Sequence, residues 1–321
     1  MTATISSKIL IDSDRTKSSD VLRDFIASKN LIGIKNVTHN IFDLLSLNSL
    51  STDIGGIIIS DHTTCDDLTG YDLVNAIHTE YPELPIFYEL TDPCLEYEDI
   101  AKMCCAVFSE DNLQPLSDAI DKNIFSMYYP PTLIHDIQQV SFDALLSMNP
   151  GIDVQCDFAY LVKSNVIFGE LFSLIPMECD WYRGFMMLQS SYGALTSIAG
   201  KKDSETEEDM DASVNDIINE ATNLIWGGIK SKYSVKDQAA DAEHARIQIP
   251  IIINHKKNYI SFGSDQPQLC FKYTISSKDN RFEKFTIFQK MVFSLRWSPD
   301  DFDESVHRTE NLIESGELEL F

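Results

Sequence analysis

The chain has 321 residues with 50 acidic against 25 basic side chains, a formal net charge of −25. That length supplies two domain cores, and the charge repels nucleic-acid backbones and anionic membranes, so neither is expected as a partner. No apolar run approaches the roughly 18 residues of a membrane span, and the polar start MTATISSK lacks the basic and apolar regions of a secretory signal, so the expected location is the cytoplasm.

Residues 7 to about 125 alternate strand-like and helix-like patterns, which predicts a doubly wound parallel α/β sheet with crossover helices. KILI at Lys8 to Ile11 is the first strand, Ser19 to Ser28 a helix, and GGIIIS at Gly55 to Ser60 a fully buried strand. Tyr71 to Tyr81 gives a helix, Leu84 to Leu90 a strand, Tyr97 to Cys104 a helix, Cys105 to Ser109 a strand and Leu113 to Phe125 the last helix. The seven cysteines show no CxxC or Cys/His ligand spacing and are expected as reduced thiols, adjacent Cys104 and Cys105 in the core. Asp12, Asp14 and Asp61 follow strands, at the sheet edge where such folds place their sites.

This order of elements resembles the receiver domain of response regulators over nearly the whole first third of the chain. Asp12 matches the first acid of the receiver's metal pair, with Asp14 one place late. Asp61 stands where the phospho-accepting aspartate follows the third strand, and Thr91 lies one place beyond the usual Thr/Ser. The lysine expected after the fifth strand is absent, since CAVFSEDN offers only Ser109 and Glu110. Phosphorylation needs Mg²⁺ and that lysine to offset phosphate charge, so the resemblance implies a degenerate receiver, with Asp12, Asp14 and Asp61 either a vestigial phosphoacceptor and metal site or simply strand-end carboxylates. Docking or dimerisation is the expected role.

SMYYPPTL at Ser126 to Leu133 closes the first domain, because Pro130 lacks a backbone donor and Pro131 restricts its predecessor. The expected division is 1–128, 129–299 and an acidic tail, 300–321. Leu133 to Met148 is helical, with Asp136 and Gln139 on a solvated face. Residues 155–175 are strand-like, Trp181 to Ser190 is a strand and Tyr192 to Gly200 a helix. KKDSETEEDMD at Lys201 to Asp211 is too charged to pack and is expected as a solvated loop. After a polar stretch beyond Tyr233, strands are predicted at Ala245 to Ile253, Tyr259 to Gly263, Cys270 to Ser276 and Phe285 to Trp297. The second domain is therefore α+β, helices packed on an antiparallel sheet.

Between these lies SVNDIINEATNLIWGGIK, Ser213 to Lys230. Val214, Ile217, Ile218, Ala221, Leu224 and Ile225 form the stripe an amphipathic helix buries. The opposite stripe reads Asp216, Asn219, Glu220, Asn223, Gly227, so Glu220 and Asn223 project side by side one turn apart. Gly227 and Gly228 each cost a helix about 1 kcal/mol relative to alanine. A bare patch beside Asn223 would let another surface approach the amide.

The run NEATNLIWGGIKSKY resembles the signature helix of CheX-type chemotaxis phosphatases of the CheC/CheX/FliY superfamily: Glu-x-x-Asn, a small-residue pair, then a lysine. ARIQIPIII at Ala245 to Ile253 matches the strand ending in proline that opens the family's strand-rich half. One such helix, not two, resembles CheX rather than CheC. The resemblance implies dephosphorylation of a CheY-like response regulator in trans, Asn223 orienting the attacking water and Glu220 pairing with the partner's lysine. It also implies Mg²⁺ supplied at the partner receiver's active site, no tightly bound cofactor or metal of the chain's own, and a homodimer. The second reading is a signalling scaffold that binds response regulators without turnover. Neither a GxSxG elbow, a Walker loop nor HExxH is present.

Overall fold

The computed structural model describes residues 5–11, 20–35, 40–46, 53–92, 97–178, 182–199, 206–233, 252–254, 259–262 and 266–297. Asp12, Asp14, the 245–251 part of the proline-ended strand and the acidic tail lie outside these residues.

The first half is a five-stranded parallel sheet. Its strands are β1 (Ser7–Ile11), β2 (Leu31–Lys35), β3 (Ile54–Ser60), β6 (Ile86–Glu89) and β7 (Ala106–Phe108), in the order β2-β1-β3-β6-β7. A small hairpin, β4 (Thr64–Cys65) with β5 (Leu68–Thr69), sits beside it. The helices are α1 (Asp20–Ser28), α2 (Ile41–Ser46), α3 (Gly70–Glu80), α4 (Glu98–Ala101) and α5 (Gln114–Asn123). With the hairpin set aside, the order is 2-1-3-4-5, one of the two common doubly wound orders, whose ligands sit outside the carboxyl ends of the strands. Both faces of the sheet are covered, which is why β3 is buried at every residue. On β1, Ile9 packs into one core and Leu10 into the other, the period of two expected of a strand.

β2 and α2 have no counterpart among the predicted elements. β2 is short, and only Leu31 in it is buried. Cys105 is expected in the core and is exposed, because it immediately precedes β7, an edge strand of the sheet. Cys65, Cys104, Cys156 and Cys270 are free thiols as well.

The second half is an antiparallel sheet of β10 (Leu171–Glu178), β11 (Tyr182–Ser190), β15 (Phe285–Trp297), β14 (Gln268–Ser277) and β8 (Ile152–Cys156), in that order, with β9 (Tyr160–Val162) also paired to β14. Three helices cover one face: α6 (Pro131–Met148), α7 (Tyr192–Ala199) and α8 (Glu207–Tyr233). On the other lies a hairpin of β12 (Ile252–Asn254) and β13 (Tyr259–Ser261). β11 shows how one strand serves both faces: Met186 and Leu188 join the helix-side core, Phe185 and Met187 the cluster that contains Ile260 and Phe262.

Residues 207–211 are helical, not loop. Thr206 and Asp209 cap each other: the Asp209 amide donates to Thr206 Oγ1 at 3.2 Å and the Thr206 amide to Asp209 Oδ2 at 3.1 Å. Glu207, Glu208 and Asp209 in the first turn and Lys230 and Lys232 in the last suit the helix dipole. Residues 201–205 of the expected loop lie outside the described residues, and its 207–211 part starts the longest helix among those described.

Candidate functional site

α8 is 27 residues long and packs against α6, α7, β10 and β11. Val214, Ile218, Ala221, Ile225 and Ile229 are buried along its inner arc. Thr222 lies in the same arc, 4% exposed; its hydroxyl donates to the Ile218 carbonyl at 2.7 Å and contacts Ser173 Oγ on β10. At the far end the Tyr233 hydroxyl donates to Asp136 Oδ2 at 2.6 Å, and Lys232 Nζ lies 3.0 Å from Asp136 Oδ1. Burial raises the Asp136 pKa, but the bonds from Tyr233, Lys232 and His135 outweigh it and hold the carboxyl below its ordinary value. Asp136 thus pins α6 to α8, while Gln139 bonds Asp143 on its own helix.

These anchors fix which face of α8 looks outward. Asp216, Asn219, Glu220, Asn223 and Gly227 are all exposed. Among the described residues neither the Glu220 carboxylate nor the Asn223 amide has a hydrogen-bond partner. The glycine pair divides. A Cβ on Gly227 would meet nothing within 4 Å, whereas one on Gly228 would lie 2.5 Å from Val140 Cγ1. Gly228, expected on the partner-facing patch, lets α8 settle against α6; Gly227 leaves the bare spot beside Asn223. Leu224, assigned to the buried stripe by periodicity, is 43% exposed and stands next to Glu220 and Asn223. An unpaired carboxylate, an unpaired amide and an apolar side chain on one outward helix face form a surface able to dock on another protein and to offer an amide to it.

The second candidate, at the carboxyl end of β3, is engaged. Asp61 Oδ2 accepts the Thr91 and Asp92 amides, both at 3.0 Å, and the Thr91 hydroxyl lies 2.6 Å from Oδ1 and 2.7 Å from Oδ2. His62 Nε2 is 3.0 Å from the same hydroxyl. Thr91 therefore reaches Asp61 despite its displaced position in the sequence. Burial raises the Asp61 pKa; hydrogen bonds from the Thr91 hydroxyl and the Asp92 and Thr91 amides, with His62 nearby, bring the net shift below the ordinary value. A depressed carboxyl pKa contributes stability above its unfolded value of about 3.9 that is lost as pH falls through the lower folded value. Thermal midpoints of the wild type should therefore drop more steeply between about pH 4 and pH 2 than those of Asp61→Asn. Equal slopes would show that these bonds hold nothing. Among the described residues no group of three or more His, Cys, Asp and Glu side chains is placed to hold a metal ion.

Residues 172–274 match the family model described as Chemotaxis phosphatase CheX. The match spans β10 to most of β14 and includes all of α8. The chain joins a receiver-like domain to a CheX-like domain. What makes the first domain receiver-like is its strand order with helices on both faces. Among solved structures, a CheC-like superfamily protein from Shewanella sp. PV-4 aligns with 51% of this chain and 99% of its own at 17% identity, TM-score 0.33. A chemotactic CheC-like protein from Shewanella oneidensis MR-1 aligns over 50% and 96% at 14% identity, TM-score 0.30. A response regulator receiver domain protein from Clostridium thermocellum aligns over 36% and 92% at 16% identity, TM-score 0.30. No curated protein matched.

Proposed function

We propose that this chain hydrolyses the aspartyl phosphate of a response regulator carried on another chain. The observation that carries the reading is the outward face of α8, where Glu220 and Asn223 stand one turn apart, exposed and without partners, beside the bare Gly227. An acyl phosphate is already activated, so the catalyst has only to place a water in line with the phosphorus–oxygen bond and steady the charge that develops. The Asn223 amide oxygen accepts a hydrogen bond from the water and aims the water's lone pair at phosphorus. As the new bond forms, the phosphorus–oxygen bond to the aspartate breaks, the aspartate leaves as a carboxylate and the water's proton passes to the phosphate product or to solvent. Glu220 pairs with a cation on the partner, its lysine in the family this chain resembles. Mg²⁺ belongs to the partner's acyl phosphate, and no nucleophile of the chain's own takes part.

Action between chains is supported by the way the domains meet. The second domain abuts the amino-terminal ends of β1 and β3 through β9. Asp61 follows the other end of seven-residue β3, about 20 Å away at 3.3 Å per residue. α8 lies over β10 and β11, at the opposite side of the antiparallel sheet from β9. The chain's own Asp61 is thus poorly placed for its own Asn223. No helix among the described residues is long and apolar enough to cross a membrane, and we place the activity in the cytoplasm.

The test is Mg²⁺-dependent phosphate release from phosphorylated receivers of the same cell. Acceleration by the wild-type chain that is lost in Asn223→Ala, while binding persists, supports the reading. No acceleration across the whole panel overturns it and leaves the scaffold reading in front.

A further inference from the structure

The junction between the two halves is built like a domain interior. Ser6 lies alongside β9 as a short parallel bridge to Tyr160, its amide donating to the Ala159 carbonyl at 3.0 Å and its carbonyl accepting the Leu161 amide at 3.2 Å. The fully buried Ser7 hydroxyl donates to the Leu161 carbonyl at 2.8 Å. Gly55 makes this approach possible: a Cβ there would sit 1.9 Å from Ser7 Oγ and 3.1 Å from the Leu161 oxygen. Asp53, 1% exposed, contacts Lys8 of its own half and lies 3.7 Å from Lys272 of β14. The loop after β9 is held from both sides. Glu83 accepts the Asn165 amide at 3.0 Å and contacts its side chain, Gln268 donates to Asn165 Oδ1 at 3.0 Å, and buried Lys290 donates to the Ser164 and Val166 carbonyls at 2.9 and 3.0 Å.

Apolar packing is continuous through the same place. One core cluster runs from Ile9, Phe87 and Ile120 of the first half through Tyr129 and Leu133 to Leu161 and Leu269 of the second. Ser7, Asn165 and Lys290 keep these buried bonds only while both halves remain in register.

From this we infer that the receiver-like half is a fixed structural part of the second domain: it caps the β9 edge of the antiparallel sheet, the two halves unfold as one cooperative unit, and neither swings on the other. The inference does not rest on the phosphatase chemistry. It assigns the first half a task that needs neither the missing lysine nor phosphorylation, namely holding the α8 face and the Asp61 edge at a set separation.

The chain supplies its own probes. All three tryptophans, Trp181, Trp226 and Trp297, lie in the second half, so tryptophan fluorescence in urea reports only that half, while hydrogen exchange at 54–60 and 86–89 reports the first. Ile77 of α3 is fully buried in the separate core on the other face of the parallel sheet, a cluster that contains no residue of the second half. In the full-length chain Ile77→Ala should lower the tryptophan midpoint by about 1 M urea, and Ile77→Val by a few tenths of that, in step with the fall in exchange protection of β3 and β6. Should Ile77→Ala fail to fold, Ile77→Val alone decides. A tryptophan midpoint that stays put while first-half protection falls would overturn the inference.

Discussion

Gly184→Ala should destabilise the chain by about 3 kcal/mol, read as a fall of roughly 4–5 °C in thermal midpoint when the whole chain unfolds together. Gly184 lies in β11, which is paired on one side to β10 and on the other to β15. The register between β11 and β15 is irregular between Arg183 and Phe185, and there a Cβ would fall 1.8 Å from the Val292 carbonyl oxygen and 2.8 Å from its carbon. Those are backbone atoms of the neighbouring strand and cannot rotate aside, so relief requires parting the two central strands. Gly227→Ala makes the contrast. Its Cβ meets nothing, so the helix should gain about 1 kcal/mol from propensity alone. If both substitutions lower the midpoint alike, the close approach of β11 to β15 is not what Gly184 serves.

Much of this architecture was legible because the hydrophobic period changes cleanly from two to about 3.6 along the first half. The runs at Gly55 to Ser60 and Leu84 to Leu90 contain β3 and β6 with one helix, α3, between them, and Phe285 to Trp297 is β15 over its full length. The misses have physical causes. LIGIK of β2 buries one side chain, so it carries no strand-like alternation. The start of α8 was hidden because an acidic run was read by its charge, although Thr206-x-x-Asp209 is a cap signal in its own right. Leu224 was misplaced because it lies roughly 100° round the helix from the middle of the buried arc, at the border where periodicity alone does not assign a side. Thr222 is the converse, a polar residue inside the arc, tolerated because Ser173 and the Ile218 carbonyl satisfy it. The outward placement of Glu220, Asn223 and Gly227 followed from spacing, whereas the different task of Gly228 depends on Val140, which is 88 positions earlier in the chain and invisible to any local pattern.

The two polar residues of the α8 face should fail in different ways. A carboxylate that docks on a partner's cation acts equally on the bound substrate and on the transition state, so its loss weakens binding without touching the chemical step. Glu220→Gln should therefore raise KM for a phosphorylated receiver about tenfold and leave kcat within about twofold. The wild-type KM should also climb with ionic strength, as an exposed pair is screened within about 10 Å at 0.1 M salt, and this salt dependence should be reduced in the variant. In the proposed role Asn223 acts on a water whose alignment matters only as the new bond forms, so Asn223→Ala should lower kcat by about 10²- to 10³-fold with KM little changed. Asn223→Asp should be no better than alanine, because it sets a negative charge against the phosphoryl oxygens. Both residues are exposed and lack partners in the fold, so these substitutions should leave the free energy of unfolding within about 0.5 kcal/mol of wild type. Initial-rate kinetics on one phosphorylated receiver separates the two roles. If Asn223→Ala, like Glu220→Gln, raises KM and leaves kcat unchanged, the face is a binding surface alone and the amide has no part in the chemistry.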